Sequence, residues 1–126
     1  MSNAVLDLDV LRPAKRIVKL GGHEIDVSFV PVALTFDLDE IEQERVKLDL
    51  TKIQNGDRKE IKKAFDLSVK LCVAFCQWKH PEMDEQWFRQ NVDVQQMSQL
   101  GEEIRQALTR AYKGIDPKKT EAAQES

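Results

Sequence analysis

A mainly α-helical protein that opens with a small β-hairpin is the fold this sequence predicts, and three observations predict it. The stretch Arg16 to Val32, RIVKLGGHEIDVSFVPV, alternates apolar and polar residues around Gly21-Gly22, the period of two half-buried strands joined by a two-residue turn. From Leu34 onward apolar residues recur every three or four positions instead, the period of helices. Capping signatures then divide that region: Asp57 with Glu60, Asp84 ahead of Trp87, and Asp93 with Gln96. The expected architecture is one helical domain over residues 1–114 with a hairpin at 16–30 and about four helices, followed by a disordered tail at 115–126.

Residues Met1 to Lys15 form a short acidic lead-in with Pro13 and no sustained period, expected to be loosely held. In the hairpin, a primed turn at Gly21-Gly22 sets Lys19 opposite Glu24 and Val18 opposite Ile25. Leu20, Val18, Ile25, Val27 and Phe29 then share one face; Lys19, Glu24, Asp26 and Ser28 share the other, with Ile17 the apolar exception. A lone two-stranded ribbon is marginal in water, so the apolar face requires a helical layer or a partner.

Pro31 ends the second strand. The first helix is expected over Val32 to Asp49, carrying Leu34, Leu38, Ile41 and Leu48, with Asp37 followed by Glu40 as a cap pair. Asn55-Gly56 marks a turn. Asp57 caps the second helix, Arg58 to about Lys79, whose apolar residues surround most of its circumference from Leu67 to Trp78 and make it the central helix. His80-Pro81 stops it, because a residue before proline is driven out of the helical region. A short third helix carries Trp87 and Phe88 behind Asp84. The last helix spans about Val94 to Lys113 with Met97, Leu100, Ile104 and Leu108 as one stripe, and Gly114 is a natural residue to end it. Beyond it, IDPKKTEAAQES has nothing that could bury a face.

Length and composition bound the function. The chain has 126 residues, 41% hydrophobic and 33% charged, with a net charge of -3, a balance that suits a water-soluble helical domain and argues against a general nucleic-acid binder. Its apolar stretches are too interrupted to span a bilayer, and MSNAVLDLDV has neither the basic start nor the apolar core of a signal peptide, so a cytoplasmic location is expected. Gly21-Gly22 leads into a strand and not a helix, which sets aside a phosphate loop.

Candidate chemistry is thin. Cys72, Cys76 and His80 are spaced for one helix face, but Cys72 and His80 would lie about 12 Å apart along a continuous helix, too far for one ion with ligand bonds of about 2.0–2.3 Å. Buried thiols, no metal and no cofactor are the expectation, and the other histidine, His23, flanks the hairpin turn. Asp37, Asp39, Glu40 and Glu44 lack the alternating ligands and glycine turn of a calcium loop and read as a solvated face. Lys52, Arg58, Lys59, Lys62 and Lys63 are interrupted by Asp57 and Glu60, and no aromatics interleave with them. Neither histidine has a nucleophile the sequence can place beside it, so no catalytic residue and no enzymatic activity are expected. Trp78, Met83, Trp87 and Phe88 cluster around Pro81, and aromatic residues with methionine are common anchors of partner sites. The surfaces expected to hold a partner are the hairpin edge and this cluster, with Val27, Phe29, Trp87 and Phe88 as the specific residues.

With K-L-G-G-H-E-I-D-V-S-F-V-P, the following Leu34, Phe36 and Asp37, the central apolar helix, and the Trp87-Phe88 then Met97, Leu100, Ile104 ending in view, the chain resembles a tail assembly chaperone of long, non-contractile-tailed phages or their prophages. The resemblance implies a small non-enzymatic protein that coats the tape measure protein, keeps it soluble, helps recruit tail tube subunits and leaves before the virion matures. Many copies of a small acidic protein could act through multivalency, and the resemblance leaves room for a homo-oligomer. It involves no nucleic acid and no membrane. The family often makes a longer product by ribosomal frameshifting, for which codons at Lys118-Lys119 would be the place to look. The rival expectations are a small virion structural protein of the tail or head-tail junction, whose hairpin adds to a neighbour's sheet, and a small enzyme or metal protein, which stoichiometric metal in protein purified without chelator would favour.

Overall fold

The computed structural model describes residues 5–113; the expected tail at 115–126, Gly114 and Lys118-Lys119 lie outside them. Among the described residues the chain is mostly helical, with one two-stranded antiparallel hairpin: β1 (Ile17–Leu20), β2 (His23–Asp26), α1 (Val32–Val46), α2 (Leu50–Gln54), α3 (Arg58–Cys76), α4 (Glu85–Asn91) and α5 (Val94–Lys113). A 3-10 turn at Leu8–Leu11 precedes the hairpin.

The hairpin register is the expected one, with Lys19 opposite Glu24 and Val18 opposite Ile25. Gly21 and Gly22 adopt φ angles of 56° and 82°, the positive values a two-residue primed turn requires and side chains resist. β2 is shorter than expected. It ends at Asp26, yet the ribbon is extended once more where the Val27 amide donates to the Arg16 carbonyl at 3.0 Å. Ser28 departs from its expected polar face and is buried. Its Oγ accepts from the Arg16 amide at 2.7 Å, and its carbonyl accepts from Arg110 of α5 at 3.2 Å, so burial here satisfies backbone groups at the open end of the ribbon.

α1 begins directly after Pro31 with no side-chain cap. The expected Asp37 and Glu40 pair lies inside the helix, and the Pro31 carbonyl instead accepts from the Leu34 amide and the Thr35 hydroxyl. Less than a turn short of the expected end at Asp49 the chain breaks at Val46, and Asp49 instead caps the separate short α2 through the Lys52 amide. Asp57 caps α3 by accepting from the amides of Lys59 and Glu60. Asp84 caps α4 through the Trp87 amide at 2.8 Å, and Asp93 and Gln96 exchange the reciprocal bonds of a capping box.

α3 is the central element, packed against α1, α5, α4 and α2. Its Val69, Leu71, Cys72, Phe75 and Cys76 meet Leu34, Leu38 and Ile41 of α1 and the Met97, Leu100, Ile104 and Leu108 stripe of α5 in one apolar cluster. Leu20, Ile25, Val27 and Val30 carry that cluster up into the hairpin, which supplies the helical layer a ribbon needs. Polar links pin the same layers. Arg16 donates through Nε to both oxygens of the buried Glu103 on α5, and Arg105 of α5 reaches Glu42 of α1 at 3.2 Å.

Candidate partner surface

The hairpin turn rests on the segment between α3 and α4. α3 ends at Cys76, and two further turns follow: the His80 amide donates to the Cys76 carbonyl and the Met83 amide to the His80 carbonyl, both at 2.9 Å. Pro81 sits inside the second turn, where its fixed φ suits the bend. His80 is therefore off the helix that carries the two cysteines and turns toward the hairpin. Its ring lies edge-on to His23, with centroids 5.4 Å apart, and His23 lies edge-on to Trp87 at 5.3 Å. Glu82 Oε1 stands 3.3 Å from His23 Nδ1. Trp87 in turn packs edge-to-face on Phe88 and covers Gly21, so the hairpin tip seats on an aromatic platform.

Of the four residues expected to hold a partner, two are enclosed. Val27 is 1% exposed and Phe88 2%, because the chain past β2 folds onto the cluster and α4 turns its Phe88 inward; in this conformation both are core. Trp87 and Phe29 are half-buried. Phe29 lies beneath the Arg12 guanidinium, 4.1 Å from the ring centroid, with the Lys79 ammonium 5.9 Å away, so its ring face serves as a cation seat. It lines a cleft with Pro31, Leu34, Trp78 and Lys79 whose free volume is about 20 Å³, enough for about one water. Met83 is buried, whereas Trp78 keeps 54% of its surface exposed. The aromatic cluster read from sequence thus divides: Met83 and Phe88 inside, Trp87 under the turn, Trp78 outside.

Exposed apolar side chains gather in two further places that spacing did not single out. Val5, Leu6, Leu8, Val10 and Leu11 are all exposed along the segment entering the hairpin, and its 3-10 turn buries none of them. On α1, Val32 and Phe36 are one helical turn apart and both exposed, Phe36 by 74%. The alternation VLDLDVL was the available signal for the first place, but it resembles an acidic lead-in until nothing is seen to cover it. No protein-family model, curated protein or solved structure matches the chain.

The remaining candidates behave as side chains of a packed domain. Cys72 and Cys76 are buried; burial pushes the Cys72 thiol up to about 12 and Cys76 upward as well, which holds both neutral. Asp37, Glu40 and Glu44 are exposed, and Asp39 accepts from Gln43 one turn on. Lys52, Arg58, Lys59, Lys62 and Lys63 are exposed, with Lys63 paired to Glu60. Among the described residues no helix is long and apolar enough to cross a membrane.

Proposed function

We propose that this protein is a non-enzymatic tail assembly chaperone of a long, non-contractile-tailed phage or prophage, binding and solubilising the tape measure protein and helping to recruit tail tube subunits. It acts in the host cytoplasm and leaves before the virion matures. The observation that carries the reading is the exposed apolar segment Val5 to Leu11, five large side chains left uncovered within seven residues, while the stripes of α3 and α5 are buried. Isolated exposed leucines are ordinary, but a contiguous run is a partner site in a protein that stays soluble. Asp7 and Asp9 alternate with these residues, which keeps the free segment hydrated and offers polar contacts at the rim of a client interface. A long helical client presents repeated apolar stripes, and many copies of a small domain bind such a chain through individually weak contacts.

Hydrogen exchange on the complex with the tape measure protein tests this reading. Protection of the amides of residues 5–11 on binding, with little change in α3, supports it. Detection of the chain at fixed copy number in purified virions moves the assignment to a structural protein of the tail or head-tail junction.

A further inference from the structure

We propose that His23, His80 and Glu82 form a binding site for a borderline divalent transition metal, Zn²⁺ in the first instance, at the seam between the hairpin turn and the α3–α4 segment. One imidazole nitrogen from each histidine and one oxygen of Glu82 lie within 4.8 Å of one another. In a tetrahedral site with bonds of about 2.0–2.1 Å, neighbouring ligand atoms are about 3.3 Å apart. His23 Nδ1 and Glu82 Oε1 already stand at 3.3 Å, and His80 Nδ1 is 3.9 Å from the same oxygen. The widest separation in the set, at most 4.8 Å, exceeds the tetrahedral spacing by up to about 1.5 Å, so metal would draw the side chains together.

Backbone hydrogen bonds hold the residues that present the ligands. His23 is the first residue of β2, paired with Leu20 across the turn. His80 and Glu82 flank Pro81 in a turn closed by the bond from the Met83 amide to the His80 carbonyl, and Met83 itself is buried. Both imidazoles are about three-quarters covered, while Glu82 is half exposed, which leaves solvent access for the metal to enter and for a water to complete the coordination. Two imidazoles and a carboxylate match the preference of zinc and its neighbours over magnesium or calcium, which take oxygen ligands. Bound metal would clamp the hairpin tip onto the platform beside Trp87, joining parts of the chain that otherwise meet there through aromatic packing and the His23–Glu82 contact.

The test is a titration of Zn²⁺ into the full chain freed of any affinity histidines, followed by calorimetry and by thermal unfolding with Mg²⁺ as control. The expected result is one zinc per chain and a melting temperature that rises with zinc and not with magnesium. Glu82→Gln, at an exposed position that keeps the fold, should weaken binding at least tenfold, His80→Ala should abolish it, and replacement of Cys72 and Cys76 by alanine should leave it unchanged. Absence of zinc binding to the parent chain, or equal binding by the Glu82 and His80 variants and the parent, would overturn the site and leave a histidine–carboxylate contact only. A zinc effect lost with the cysteine pair would also overturn it.

Discussion

Substituting alanine at Gly21 and at Gly22 asks how firmly the hairpin tip is seated, because the two positions share a backbone constraint and differ in what lies above them. Both have positive φ, 56° and 82°, which costs an L-residue about 1–2 kcal/mol. A Cβ at Gly22 meets nothing within 4 Å, whereas one at Gly21 would sit 2.7 Å from Cζ2 and 2.9 Å from Cη2 of Trp87. Either the indole shifts, disturbing its contacts with His23 and Phe88, or the turn lifts; overpacking of this kind costs a further 1–3 kcal/mol or so. Gly22→Ala should therefore destabilise by about 1–2 kcal/mol, and Gly21→Ala by about 2–5 kcal/mol. Urea denaturation of both variants measures the difference. In a Trp87→Leu background the Gly21 penalty should fall to the backbone cost alone, giving a coupling of roughly 1–3 kcal/mol in the double-mutant cycle. Equal penalties at the two glycines, unchanged in the leucine background, would refute the seating of the turn on Trp87.

Four further outcomes follow from burial and capping. Val27→Asp places an unpaired carboxylate in the core and should lose at least about 3 kcal/mol of stability by urea denaturation; a variant that keeps its stability but loses client binding would instead make Val27 a surface residue. Asp57→Ala removes the oxygen that accepts from the Lys59 and Glu60 amides and should cost about 1 kcal/mol, read by the same assay. Cys72 and Cys76 should react with Ellman's reagent at pH 8 only as fast as the domain opens, and at once in denaturant; prompt labelling of the native protein would contradict their burial. Their raised values also fix a pH dependence. Below about 8.5 the thiols are protonated in both states; above it the unfolded thiols ionise first, so the unfolded chain binds fewer protons and stability falls as pH rises toward about 12, the value at Cys72. A variant with alanine at both cysteines should show a shallower decline between pH 8 and 10.

Much of the architecture was legible because it rests on local chemistry. The Gly21-Gly22 turn dictated its own register, and Asp57, Asp84 and the Asp93–Gln96 pair announced helix starts that the chain obeys. Asp37 misled for a physical reason: an acidic residue followed by glutamate is equally at home on a solvated helix face, and a Pro31 start leaves no side-chain signature. The α1–α2 break was hidden because Lys47, Leu48 and Asp49 interrupt the apolar period by less than a turn. Tertiary facts were beyond reach. Ser28 and Glu103 are buried by partners far along the chain, Arg16 and Arg110, and spacing alone cannot pair His80 with His23. The same limit explains Val27 and Phe88: aromatic and apolar residues look alike as core or as anchor until the layer that covers them is in place.

Co-expression with the protein encoded by the longest open reading frame just downstream tests whether this chain holds a client through its exposed apolar segment, comparing the parent chain with a variant carrying serine at Val5, Leu6, Leu8, Val10 and Leu11. Because these side chains are exposed, the variant should fold with unchanged thermal stability. The downstream protein should be soluble and co-purify only with the parent chain. A client that is soluble alone and unbound, or one rescued equally by the serine variant, would contradict it.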